Sequence, residues 1–468
     1  MARVFSAHNV RAVAVWADTP DDVRERVLQD LAAGRVNVVF SVDLFNEGVD
    51  VPSVDTLLML RPTDSPLLFL QQLGRGLRKS SGKSVCTVLD FVGQHRKEFR
   101  YDRRFQALLG GSRAAVIQQV ERGFPFLPAG CHMELDRVAS ERVLSNIKNS
   151  VPSRWNEKAL ELRKLNEEHP GITLSGFLAL SGFDLDDVYK SDRGWSQLRE
   201  DAGIRVLSAG PYEAQLRASC SRLHHIDDPE RLTRYRAWLA SASGPEISVF
   251  SLRDRRLLQM LLVQLFDQIA SKEMTIDEAV AVLWQHPQVR AELVELFDVL
   301  SERIGHLSPT HEALPDVPLR ITARYTRQEL LCASGEVEGV RKKDWREGVR
   351  FAKGIRADLF VFTLDKTGGQ YSPTTRYRDY AISRELIHWE SQSGTRAQSP
   401  TGLRYQRHVA EGSHVLLFGR ETADDRAFYF LGPATYMSHR GEMPMGVTWR
   451  LTHPLPGDLF QAFAAAVA

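Results

Sequence analysis

Four residues near the N-terminus carry the clearest chemistry in this chain: Gln71, Gly74, Arg75 and Arg78, spaced Q-x-x-G-R-x-x-R. On a helix, residues three and four apart share a face, so one turn brings two guanidinium groups toward a single point. Arginine stays protonated, and its planar fork matches the oxygens of phosphate. The chemistry this spacing suits is contact with a triphosphate. A second segment, Val42-Asp43-Leu44-Phe45-Asn46-Glu47-Gly48-Val49-Asp50-Val51-Pro52, lies shortly upstream.

The elements that must position these residues read as α/β. Apolar 36–41 predicts a buried parallel strand, 46–52 the loop after it, 56–61 the next strand and 65–77 a helix. Strand, loop, strand, helix is the grammar of a parallel sheet covered by helices.

With those residues in place, the two segments resemble motifs V and VI of the superfamily 2 helicases, and residues 1–111 resemble the second RecA-like lobe of that family. The resemblance implies that Arg75 is the arginine finger and Arg78 a second phosphate contact. It places Gly48 and Asp50 near the ribose, has Glu47 and Gln71 couple nucleotide to nucleic acid, and includes Gly74 in the nucleotide site. The implied cofactors are ATP and Mg, bound only together with a first lobe.

That first lobe needs a phosphate-cradling G-x-x-x-x-G-K-[ST] loop and a DE-type magnesium carboxylate. Gly82-Lys83-Ser84 fails the pattern, because Leu77 stands where the leading glycine belongs and the next residues are β-rich. It reads as a lysine in a turn. Asp277-Glu278 follows Thr275, so Thr275 and Glu278 read as a capping box that opens a helix. Residues 1–5 resemble the middle of the helix after motif IV. The expectation is a fragment, a start placed too late or one gene of a split pair, unable to hydrolyse ATP alone. A rival is a protein whose Arg75 completes an ATP site supplied in trans.

At 468 residues, 43% of them hydrophobic, the chain is long enough for roughly three domains with ordinary cores. There is no apolar run of membrane-spanning length and no charged-then-apolar leader pattern, so no membrane partner and a cytoplasmic home are expected. Cys86, Cys131, Cys220 and Cys332 are far apart, which points to neither a disulfide framework nor a zinc cluster. The net charge of +1 hides an uneven distribution. Residues 318–410 hold 17 Lys and Arg against 10 Asp and Glu, while 211–316 hold 11 against 16. A basic stretch of that kind is where polyanion contacts belong, or it is an ordinary solvated surface.

The expected organisation is a helicase C-terminal lobe at 1–115, an α-helical connector at 116–317 and a β-rich α+β, small barrel-like domain at 318–468. Within the connector, 154–204 gives short helices joined by glycine turns. That pattern fits a helix-turn-helix with Lys190, Arg193, Trp195 and Arg199 as its contacts. It fits equally a small bundle with Trp195 in its core. Helices at 252–269 and 275–304 read as scaffold.

In the β-rich part, Tyr377, Arg378, Trp389 and Arg404 interleave aromatic rings with cations, as a pocket for single-stranded or flipped bases requires. The same rings would also fill a small barrel. His388 and Glu390 share a strand face, an arrangement more structural than catalytic. The stretch 211–468 resembles an uncharacterised C-terminal domain of bacterial restriction or defence helicases, some of which begin with a phospholipase-D-like nuclease. The matching phrases are 372–377, 388–393 and 454–460. The resemblance implies DNA inspection, with modified bases one target, and a first lobe or nuclease as partner in cis or in trans. The reading is the tail of an ATP-dependent DNA helicase or translocase. The alternative is a stand-alone DNA-binding module that reads modified bases or single strands.

Overall fold

A computed structural model describes residues 1–42, 51–60, 63, 65–91, 101–110, 113–124, 127, 130–149, 154–190, 192–207, 210–270, 274–364, 379–392 and 394–464. Contacts divide the chain once, into Met1–Pro152 and Ser153–Ala468. The sequence reading had placed boundaries near 115 and 317.

The first unit runs α1 (Ala2–Ala7), β1 (Ala12–Val15), α2 (Asp21–Ala32), β2 (Val38–Ser41), β3 (Thr56–Met59), α3 (Pro66–Gly76) and β4 (Thr87–Asp90). Then follow α4 (Tyr101–Leu109), α5 (Arg113–Glu121) and α6 (Arg137–Asn149). β1 pairs with β2 and β3 with β4, both parallel, as strands joined through helices must. The strand, strand and helix expected at 36–41, 56–61 and 65–77 all form. The helices α4 to α6 close a core of their own around Tyr101, Val116, Val120, Phe124, Val143 and Ile147.

The second unit opens with helices α7 (Trp155–Glu168), α8 (Leu174–Ser181), α9 (Leu185–Val188), α10 (Trp195–Asp201), α11 (Glu213–Cys220) and α12 (Pro229–Ala240). Three more follow: α13 (Leu252–Leu265), α14 (Ile276–Trp284) and α15 (Pro287–Glu302). Thr275 and Glu278 do form the capping box that opens α14. The chain then alternates β5 (Arg324–Thr326), α16 (Arg327–Ala333), β6 (Val349–Ala352), β7 (Ala357–Thr363), β8 (Tyr380–Ala381) and β9 (Leu386–Glu390). It ends with α17 (Pro400–Arg407), β10 (His414–Arg420), β11 (Ala427–Arg440), β12 (Gly446–Leu451) and α18 (Gly457–Ala464).

The sheet order is β6-β7-β10-β11-β12-β9-β8, with β5 also on β11. Among the described residues no pairing joins β6 to β8, so the ladder has two ends and is a mixed open sheet. The long strand β11 makes this possible, pairing with β5 and β10 through its first half and with β12 through its second. α17 and α18 cover the inner face with Tyr405, Leu459 and Phe463. At Gly419 a Cβ would fall 2.3 Å from the Phe463 ring, so glycine lets α18 seat against β10.

A buried ion network welds the helices to this sheet. Arg231 on α12 donates from Nη1 to Glu329 on α16 (2.9 Å), from Nη2 to the Arg324 carbonyl (2.7 Å), and from Nε to Asp228. His225 shares a hydrogen bond with the second Glu329 oxygen (2.6 Å). These contacts hold the Glu329 carboxyl down to about 2 against its own burial, with His225 and then Arg231 the stabilising charges. Each buried charge is paired and bonded, the condition under which it is tolerated.

Candidate nucleotide and nucleic-acid contacts

α3 is built as a two-faced helix. Ser65 caps it by accepting from the Leu68 N–H (3.3 Å), and Pro66 takes the first helical position. Phe69, Leu73 and Gly76, at steps of four and three, form the buried stripe. Gly76 is fixed there by contact, because a Cβ would lie 2.7 Å from both Cys86 Sγ and Leu57 Cδ1. Gln71, Gly74, Arg75 and Arg78 are offset from that stripe by two residues, about 200° around the helix. Gln71, Gly74 and Arg78 are exposed and Arg75 is half-buried. Around Gly74 a Cβ would meet nothing within 4 Å.

The helix ends earlier than the spacing suggested. Leu77 is its C-cap, so Arg75 lies in the last turn and Arg78 just past the end. Arg75 there complements the negative end of the helix dipole. The carbonyls left open by this ending are taken by Lys83, whose Nζ donates to Gly76 (2.5 Å), Arg78 (3.1 Å) and Pro52 (3.2 Å). The lysine that imitates a phosphate loop is therefore a clamp between the arginine segment and Pro52. Sequence reasoning missed this role. Its signal was the turn at Gly82, with φ +81°, which folds Lys83 back toward the helix end.

Glu47, Gly48 and Asp50 lie outside the described residues, as do Tyr377 and Arg378. Among the described residues no group of three or more His, Cys, Asp or Glu is placed to hold a metal ion. The residues present thus fit the arginine side of a nucleotide site. Nothing described here supplies magnesium ligands, and Lys83 is committed to carbonyls.

The nominated contacts of the second unit are largely consumed by its fold. Trp195 is fully buried, its ring tilted against Phe177 (centroids 5.5 Å apart), with its Nε1 donating to Glu295 on α15 (2.9 Å). Its backbone N–H and that of Ser196 both donate to Glu292 (3.0 Å each). The N-terminal donors of α10, which a recognition helix turns toward a groove, are thus occupied by a buried carboxylate from α15. Burial raises the Glu292 pKa, opposed by the bonds from Ser196, Tyr189 and Trp195. Arg199 pairs with Glu295 (3.7 Å) and lies against Trp195. Of the four residues assigned to a helix-turn-helix, Lys190 and Arg193 are exposed, and Arg193 covers the Trp155 ring.

Trp389 is corrected in the same way. Alternation along β9 turns Ile387 and Trp389 inward, where Trp389 meets Phe360 edge-on at 4.5 Å. A ring 3% exposed offers no face to a base. His388 and Glu390 take the outer face, and His388 packs on Tyr380 (4.9 Å). Arg404 makes a two-pronged bond to Asp358 (2.8 Å twice), a carboxylate fully buried within β7. Moving Arg404 to a phosphate would strand that charge.

The parallel strand pairs joined through helices, with Arg75 in the last turn of α3, agree with the RecA-like lobe that the resemblance implied. The helicase conserved C-terminal domain matches residues 2–80, and a domain of unknown function, DUF3427, matches residues 319–463. The chain therefore carries the C-terminal part of a superfamily 2 helicase with a DUF3427 tail.

Over 91 residues it is 34% identical to a protein of Saccharomyces cerevisiae described as ATP-dependent helicase IRC3, covering 19% of this chain and 13% of that protein. Over 86 residues it is 33% identical to the DNA 3'-5' translocase XPB2 of Sulfurisphaera tokodaii, covering 18% and 19%. The chain thus spans less than a fifth of the length of either relative. Among solved structures, an ATP-dependent Type ISP restriction-modification enzyme, LlaBIII bound to DNA, aligns at 16% identity over 66% of this chain and 22% of that one. The TM-score of 0.22 is too low to argue from. No described helix is long and apolar enough to cross a membrane.

Proposed function

We propose that this chain supplies the second motor lobe and the tail of an ATP-dependent DNA helicase or translocase. In this reading ATP and magnesium bind on a first lobe, and Arg75 and Arg78 approach the phosphates from the end of α3. The observation that carries it is the geometry of that helix: Arg75 lies in its last turn off the buried stripe and Arg78 just past its end, that end is clamped by Lys83, and the space around Gly74 is open. When bound, ATP supplies the transferring phosphate. The residues here bring positive charge to oxygens that become more negative as the phosphate leaves, which is how an arginine finger acts. Glu47, Gly48, Asp50 and Gln71 complete the lobe's side of the site in the same proposal.

The division of labour at 1–115, 116–317 and 318–468 is likewise proposed: motor lobe, connector and DNA-contacting domain. The tail's resemblance to restriction-type helicases supports a role in DNA restriction or phage defence. Arg193 and Lys190 stay candidates for DNA contact because they remain exposed.

The test is fluorescence anisotropy of the purified 468-residue chain with single-stranded, duplex and cytosine-methylated DNA, with ATP hydrolysis followed in the same samples. Binding without hydrolysis is expected. Hydrolysis by the chain alone overturns the division between two lobes, and absence of binding overturns the DNA-contacting role.

A further inference from the structure

An open groove of about 790 Å³ lies between α7 and α10. Each helix contributes one stripe to it. On α7 the i, i+4, i+8 spacing sets Trp155, Ala159 and Arg163 along one line, with Leu160 beside them. On the other side Gln197 and Asp201, one turn apart on α10, face the groove together with Arg193 from the turn before that helix. Ala159 is the buried floor, and a side chain so small leaves room above it.

The polar groups of the groove divide into those the fold uses and those it does not. Asp201 accepts from two neutral donors, Trp155 Nε1 (2.6 Å) and the Gln197 amide (3.1 Å). Among the described residues neither arginine makes an ion pair. Arg163 donates from Nε to the Ala202 carbonyl (2.8 Å) at the end of α10, which steadies its guanidinium while leaving the Nη groups without a described hydrogen bond. Arg193 lies over the Trp155 ring, 5.0 Å from its centroid, and makes no hydrogen bond among the described residues. Two guanidiniums against one carboxylate leave the groove a net positive charge, and the guanidinium fork favours phosphate.

The apolar side of the groove is also unused. Leu160 is 64% exposed, and Trp155 is half-buried. Aromatic rings and guanidinium planes stack bases, and side-chain amides such as those of Gln197 and the exposed Asn156 bond base edges. The volume falls within the range of about 300–1,000 Å³ typical of small-molecule sites.

We propose that this groove binds a nucleoside phosphate, with Arg163 and Arg193 on the phosphate and Trp155 and Leu160 against the base. The expected source is a nucleotide of a DNA single strand, which rests on the reading of the chain as part of a DNA-acting motor; a free nucleotide shares the chemistry. A duplex keeps its base faces stacked, so an unpaired base is what can meet the ring.

The test titrates the full chain with a labelled single-stranded oligonucleotide, the matching duplex and a free nucleoside monophosphate, the first two across a salt series. Arg193→Gln gives up no described bond and is expected to flatten the single-strand slope of log affinity against log salt by about 0.7, with Arg163→Gln adding a similar amount. Arg193→Lys is expected to keep the parent slope. Trp155→Ala is expected to weaken single-strand binding about fivefold or more and to leave duplex binding unchanged, as loss of stacking requires. Trp155→Phe, which keeps a ring but loses the bond to Asp201, is expected to recover most of that affinity; equal failure of both Trp155 variants overturns the stacking contact. A parent that binds single strands while Arg193→Gln and Trp155→Ala keep its slope and affinity overturns the groove and leaves the motor reading intact. Mononucleotide binding that these variants abolish, without strand binding, upholds the groove and overturns the DNA-contacting role. A parent that binds neither strand nor mononucleotide overturns both.

Discussion

α3 and α10 are both short helices with an arginine in the last turn, yet they use their polar groups in opposite ways. α3 caps itself with Ser65, buries one stripe, and leaves Gln71 and Gly74 exposed, with Arg75 half-buried beside them. α10 has no cap of its own. Glu292 fills its N-terminal donors from another helix, and its arginine is drawn onto Glu295. A polar edge on a self-capped helix is left for a ligand where the residues beside the stripe are exposed, as Gln71 and Gly74 are. A cation that answers a half-buried carboxylate belongs to the fold.

The sharpest way to break that comparison is to remove residues assigned to the fold. Trp389→Ala should destabilise the second unit by about 3–5 kcal/mol through cavity formation, measured by denaturant unfolding. A variant of unchanged stability that loses DNA affinity would return Trp389 to a binding role. Arg231→Leu should cost a similar amount, about 3–5 kcal/mol, because it strands Asp228 and Glu329 in the interior.

Acid should act on the same unit in two windows. His311 is buried with neither ring nitrogen bonded among the described residues, and burial, aided by Arg253, lowers its pKa from 6.5 to about 4. The unfolded chain takes up this proton below about 6.5 and the folded chain only near 4, so stability falls as pH drops through that range. Glu329, held near 2 against an ordinary 4.5, adds a second loss below 4.5. His311→Leu should remove the upper window from melting curves recorded between pH 7 and 4, and persistence of that window would exclude His311 as its cause.

Within α3 the expected effects are smaller and distinguish its two faces. Gly76→Ala should cost about 1–3 kcal/mol, since the added methyl collides with Leu57 and Cys86. Lys83→Met should cost about 1–2 kcal/mol by releasing three carbonyls. Gly74→Ala should leave stability unchanged or raise it by up to about 1 kcal/mol, because the site is open and helical. Equal losses at Gly74 and Gly76 would erase the distinction between the two faces.

What could be read from the sequence follows the range of the interactions involved. The strands at 36–41 and 56–61, the helix at 65–77 and the capping box at Thr275 depend on neighbours within one or two turns, so periodicity and caps expose them. That Gln71, Gly74 and Arg75 lie on α3 off its buried stripe was legible for the same reason. The fate of Trp195, Arg199 and Arg404 was not. It is decided by Glu292, Glu295 and Asp358, which are tens of residues distant and unmarked in any local pattern. Interleaved aromatics and cations around 377–405 suit a core with a paired charge as well as they suit a pocket. Lys83 was read as a lysine in a turn, but what it clamps depends on a fold that returns it to Gly76 and Pro52.

The central claim is that Arg75 completes a nucleotide site from the end of α3. Its most direct test is DNA-stimulated ATP hydrolysis by the chain reconstituted with a first lobe that carries the phosphate-cradling loop, comparing the parent with Arg75→Ala. Loss of hydrolysis with DNA affinity and melting temperature intact is the expected result. Hydrolysis retained at the parent rate would contradict the account.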